Sequence, residues 1–179
     1  PVPIKVQLSK SSTLGLGAGG KPEIARKAAE ESVEDIQNML ADNTKMVFIT
    51  AGMGGGTGTG ASPVIAKVAH EMGILTVGIV TIPFAFEGKQ KIRQALEGVV
   101  ALSEYVDAIL VINNEKLKLI YPDLNLSNAF AKADDILTNA AKAIAEIITV
   151  PGYINTDFAD VSTIMRDGKV AIMNTGFAS

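Results

Sequence analysis

Apolar and polar positions alternate over Ile4, Lys5, Val6, Gln7 and Leu8, the period-two pattern of a half-buried strand. Periodicity is then lost, and Ser9 to Gly20 reads as loop. Pro22 suits a first helical position, and Ile24, Ala28, Val33, Ile36, Met39 and Leu40 predict one helix through Leu40. Met46 to Ile49 is a short, continuously apolar run, as expected of a strand covered on both faces, and it ends at a glycine-rich loop.

The same alternation continues beyond the loop. A helix is expected over about Gly58 to Met72, stopped by Gly73, then a β-branched strand over Ile74 to Ile82. Another helix covers about Lys89 to Glu104, and Ala108 to Ile112 is the next strand. Strands separated by single helices imply parallel βαβ units with right-handed crossovers, hence an α/β fold with a doubly wound, mostly parallel sheet. Phe130, Ala133, Leu137, Ala140, Ile144 and Ile147 keep a spacing of three and four, which predicts a long helix. After Pro151-Gly152 a loop, a short helix from about Asp157 and a strand over Lys169 to Asn174 are expected. The division is therefore 1–126 as an α/β unit, 127–150 as a long central helix, and 151–179 as a loop, short helix and strand that start a second domain.

Composition narrows the chemistry. The 179 residues are 47% apolar and 20% charged, the balance of a folded domain. A formal charge of -3 without a Lys/Arg cluster argues against nucleic acid as a partner. No apolar run approaches a membrane span, and neither membrane insertion nor export is expected; the expected location is the cytoplasm. With no Cys and one His, thiolate and most imidazole chemistry is excluded, and no protein metal site is expected. His70, beside Lys67 and Glu71, reads as a solvated helix position.

The loop Gly52-Met-Gly-Gly-Gly-Thr-Gly-Thr-Gly60 carries the strongest signal. Gly54, Gly55, Gly56, Gly58 and Gly60 free the backbone for close approach to a ligand. N–H groups converging at a helix N-terminus suit a phosphate, and Thr57 and Thr59 add hydroxyls. A tight turn alone needs fewer glycines. Gly55 to Ser62 spells most of a Walker A loop, but Ala61 stands where that motif needs Lys. Gly15 to Gly20 matches G-x-G-x-x-G, yet the strand ending near Thr50 lacks the acidic residue of a dinucleotide site.

Taken with GLGAGGKPE (Gly15 to Glu23), PFAFEG (Pro83 to Gly88), the Asn-Asn-Glu-Lys-Leu stretch from Asn113 and NTDFADV (Asn155 to Val161), the loop resembles the FtsZ family of bacterial tubulin homologues. The five motifs stand in the family's order over nearly the whole chain. The resemblance implies a GTPase that polymerises head to tail into filaments for bacterial cell division, with GTP/GDP and Mg²⁺ as cofactors. Division proteins at the membrane would be reached through regions outside this sequence.

The resemblance also implies residue roles. Gly54 to Gly60, with Gly19, Gly20 and Pro83, would surround the nucleotide, and Glu87 would accept from the ribose. Lys91 stands where the family usually has Arg, and an ammonium lacks the guanidinium fork. Asn114 would meet the base edge. Phe130 and Asp134, one helical turn apart, would stack on the base and accept from guanine N–H groups. Asn155, Asp157 and Asp160 would be catalytic, entering the nucleotide site of the next subunit to orient water and Mg²⁺. Read locally, Asp157 is equally an N-cap, Phe130 a core residue and Glu87 an exposed carboxylate.

Departures bear on the isolated piece. Ser9 to Ser12 replaces a more usual glycine-containing stretch, and the family's first strand, second glycine-rich loop and Asn-Thr-Asp segment do not precede Pro1. The alternative expectation for this piece is a self-associating fragment that fills a missing central strand and binds little or no GTP. A nucleotide-binding regulator without hydrolysis is disfavoured by the presence of Asn155, Asp157 and Asp160.

Overall fold

The computed structural model describes residues 4–8, 17–41, 43–121, 126–149 and 162–163, without the side chains of 118–120, 126–127 and 147–149. The loop expected over 9–16 and the helix, strand and second domain expected beyond Pro151 lie outside these residues.

Three strands form one parallel sheet in the order β1 (Met46–Gly52), β2 (Leu75–Ile82), β3 (Ala108–Asn113). Met46 pairs with Leu75, Gly52 with Thr81, and Ile82 with Asn113, so the carboxyl ends of all three strands lie level. The crossovers are α3 (Gly56–Glu71) and α4 (Lys89–Ser103), as the alternating pattern predicts.

Side-chain alternation sorts the sheet into two faces. Ile49, Val80 and Ile109 point to the face covered by Ala66 of α3 and by Ala95 and Leu102 of α4. Phe48, Val77, Ile79, Leu110 and Ile112 point to the other, where Ile136, Leu137 and Ile144 of α6 (Leu126–Thr149) pack. Helices on both faces of a parallel sheet make the fold a doubly wound α/β layer structure.

Local differences from the sequence pattern have physical causes. Ile4 to Leu8 forms no strand: it has no ladder partner among the described residues, Ile4 is exposed, and Leu8 lies half-buried against the cluster of Ile36, Leu40, Val68, Ala69 and Ile74. The helix expected from Pro22 to Leu40 is two, α1 (Pro22–Glu30) and α2 (Val33–Leu40). Ser32 separates them, its Oγ donating to the Ala28 carbonyl at 3.0 Å while its N–H donates to Ala29 O at 3.0 Å. A hydroxyl that competes with the backbone ladder in this way tightens and ends a helix. The break lets α2 turn Ile36 and Leu40 onto Val68, Ala69 and Ile74. Strand β1 has side chains packed on both faces, as expected, but is mostly half-buried because it lies at the edge of the three described strands; β2 between its neighbours is buried from Leu75 to Val80. A short helix, α5 (Asn114–Ile120), follows β3 where no helix was expected.

Asp107 anchors the entry to β2. Its buried carboxylate accepts the Thr76 N–H at 2.8 Å, and its own N–H donates to Thr76 O at 2.8 Å. Asp107→Ala is expected to cost about 1–3 kcal/mol by orphaning a buried N–H, read as a lowered urea midpoint with an unchanged slope.

Candidate functional site

In an open parallel sheet, ligands bind beyond the carboxyl ends of the strands. Here that edge carries the glycine loop after β1, Pro83 to Gly88 after β2, and Asn113 to Glu115 after β3.

Most loop glycines are required by protein contacts. Gly54 has φ +95°, and a Cβ there would meet the Lys91 carbonyl oxygen at 2.7 Å and Pro83 at 3.1 Å. At Gly56 a Cβ would meet Ala18 at 2.8 Å; at Gly58 it would strike the Gly52 carbonyl, and at Gly60 the Pro22 carbonyl. Only at Gly55, among these five, is the space open. Buried Thr59 accepts the Gly54 N–H on Oγ1 at 2.8 Å, so it holds the loop's shape from inside. Thr57 is exposed. The residues that offer donors outward at the start of α3 are therefore Gly55 and Thr57, with the dipole behind them. Ala61 is buried at 2% exposure, so the Walker lysine position faces the core.

The Gly56 contact brings the Gly17–Lys21 turn alongside the loop. Gly17, Gly19 and Gly20 have φ of +81°, +56° and +75°, and Gly19 and Gly20 are exposed. A cleft of about 400 Å³ lies between, lined by Val6, Leu8, Gly17, Ala18 and Thr57. A larger cleft of about 590 Å³ runs between α1 and α4 over the outer side of α3; it includes Thr59 and Gly60 but no other expected site residue.

Pro83 is buried and precedes a 3₁₀ turn, Ala85–Glu87. Glu87 Oε1 accepts the Phe84 N–H at 3.0 Å, and Oε2 lies 3.3 Å from Lys91 Nζ. The turn stacks Phe84 on Phe86 at 5.1 Å between centroids, and both rings meet Phe130 of α6 edge-on at 5.3 and 6.3 Å. Phe130 remains 41% exposed and Asp134, one turn on, is exposed. Asn114 is 4% exposed, and its Oδ1 is buried without a hydrogen-bond partner. Its neighbours are engaged: Asn113 Oδ1 accepts the Glu115 N–H at 3.0 Å, and Glu115 Oε2 accepts the Ala85 N–H at 2.8 Å.

The fold thus gathers Gly54 to Gly58, Gly19, Gly20, Pro83, Glu87, Lys91, Asn114 and Phe130 around one sheet edge, while Thr59 and Gly60 are buried within α3 and Asp134 is exposed one turn beyond Phe130. Asn155, Asp157 and Asp160 lie outside the described residues. Glu115 was not expected at the site; its signal was the Asn-x-Glu spacing of a helix cap at the end of a strand. Among the described residues no three His, Asp or Glu side chains cluster as metal ligands, and no helix is long and apolar enough to cross a membrane. His70 is exposed.

Residues 2–122 match the family model described as the Tubulin/FtsZ family, GTPase domain. The chain is 62% identical over 177 residues to a cell division protein FtsZ of Porphyromonas gingivalis, covering 98% of this chain and 39% of that protein. Against the cell division protein FtsZ of Azotobacter vinelandii it is 54% identical over 175 residues, 97% of this chain and 44% of that one. An FtsZ dimer structure from M. jannaschii superposes with a TM-score of 0.87 at 48% identity, over 91% of this chain and 47% of that chain. The chain therefore spans less than half the length of these relatives.

The two kinds of glycine are separable by experiment. Gly60→Ala is expected to lower unfolding free energy by about 1–3 kcal/mol through overpacking against α1. Gly55→Ala should stay within about 1 kcal/mol of the parent, both read from urea midpoints.

Proposed function

The chain belongs to the tubulin/FtsZ family, and from that premise we propose that the protein containing it binds and hydrolyses GTP and assembles into filaments for cell division in the cytoplasm. The observation that carries the nucleotide reading is Asn114: a buried amide oxygen without a protein partner costs free energy unless a ligand satisfies it. Its place at the carboxyl edge, with Phe130 across the turn and the α3 N-terminus beyond, supports base at one end and phosphates at the other.

In this reading Gly55, Thr57 and the N–H groups opening α3 hold phosphate oxygens, with Gly19 and Gly20 closing the neighbouring side. Glu87 and Lys91 lie toward the ribose, while Phe130 stacks on the base. Asp134, an acceptor when ionised, takes the adjacent N–H donors of guanine, which adenine lacks. The donors around the loop are N–H and O–H groups, fit for an anion and not for a protein cage around a cation. When bound with the nucleotide, Mg²⁺ would supply charge neutralisation at the phosphates. Asn155, Asp157 and Asp160 complete hydrolysis from the neighbouring subunit, the Asn155 amide by orienting the attacking water and the Asp157 and Asp160 carboxylates by positioning and polarising it. Polymerisation and turnover are then coupled, since neither subunit alone holds both halves of the site.

Two variants of the whole protein test this. Asn114→Ala should weaken GTP binding about tenfold while leaving the ligand-free melting temperature unchanged, because its Oδ1 supports nothing in the protein. A large loss of stability with unaltered affinity would assign Asn114 to the fold. Asp157→Ala should keep GTP affinity and abolish steady-state phosphate release; full turnover by that variant would refute the catalytic assignment.

A further inference from the structure

The turn between β2 and α4 carries Glu87, Phe84 and Phe86, so its placement sets both the ribose and the base side of the proposed site. Two consecutive N–H groups in it point to carboxylates. Phe84 N–H is taken by Glu87 of the same turn, whereas Ala85 N–H is taken by Glu115 from α5 at 2.8 Å. Glu115 lies next to Asn114, and its own N–H is fixed by Asn113 Oδ1 at 3.0 Å. Asn114 is therefore flanked by Glu115, which ties the start of α5 to the turn after β2, and by Asn113, which caps Glu115.

We propose that Glu115 is a positioning residue that holds this turn in register with Asn114, so that ribose and base contacts form together. The inference rests on the GTP-binding reading above. An ionised acceptor on a backbone N–H is the stronger kind of hydrogen bond, and its span of thirty residues joins two elements that share no ladder at this point. Gln keeps a carbonyl oxygen at the same reach, whereas Ala removes the acceptor from the Ala85 N–H.

The test uses the whole protein with GTP and Mg²⁺. Glu115→Ala is expected to weaken GTP binding about tenfold, and Glu115→Gln to restore most of it. Because Glu115 acts through the turn that presents Glu87, combining Glu115→Ala with Glu87→Ala should weaken binding by clearly less than the product of the single losses. A purely structural role would instead lower the melting temperature without that coupling. The inference is overturned if Glu115→Ala binds GTP as the parent does, if Gln is as damaging as Ala, or if the two losses multiply. Failure of the parent protein itself to bind GTP would overturn the underlying functional reading instead, and is seen before any variant is made.

Discussion

Helix α3 approaches the backbone around it too closely at Gly58 and Gly60 to admit a side chain, and the proposed site depends on that approach. Gly58 lets the helix sit on the Gly52 carbonyl at the end of β1, and Gly60 lets it sit on the Pro22 carbonyl at the start of α1. Two further glycines key the loop to its surroundings, Gly56 against Ala18 and Lys21 and Gly54 against Pro83 and Lys91. One nine-residue segment thus fixes the relative places of β1, α1, the Gly17–Lys21 turn and the turn before α4. A side chain at any of these points would move the helix N-terminus away from the groups with which it forms a site, since packed backbone has little room to yield.

This changes the meaning of the glycine-rich sequence. The five glycines between Gly54 and Gly60 read naturally as a surface prepared for a ligand, but four of them serve approach between protein segments and only Gly55 faces open space. Thr59 follows the same division: its hydroxyl oxygen takes the Gly54 N–H, and its methyl packs toward Gly98 of α4. Thr57, two residues earlier, is exposed. In the proposed reading phosphate contacts fall to a few outward-facing residues, Gly55 and Thr57 among them, and the remainder of the motif holds them in place.

Much of this was legible in the sequence because the relevant signals are local. Continuous apolar runs located β2 and β3, three-and-four spacing located α6, and the parallel order followed from the alternation of strands and helices. Other features were hidden because they depend on partners distant in sequence. Ile4 to Leu8 has the alternation of a strand but no neighbour to pair with among the described residues. The break at Ser32 depends on a hydroxyl choosing the Ala28 carbonyl, which a stripe of apolar residues does not encode. Glu115 was passed over because its partner, the Ala85 N–H, is thirty residues away and on the backbone.

The polar groups along the sheet edge divide by whether the protein already satisfies them, and the division has a direction. Glu87, Glu115, Asn113 and Thr59 have partners within the chain and so build the frame. The open groups run from Gly55 and Thr57 at the α3 N-terminus to Asn114 Oδ1 at the end of β3. An N-terminal helix end favours negative charge, whereas a lone amide oxygen calls for a neutral donor. In the proposed reading, the ligand that meets both is anionic at one end, carries N–H or O–H donors at the other, and offers an aromatic face to Phe130.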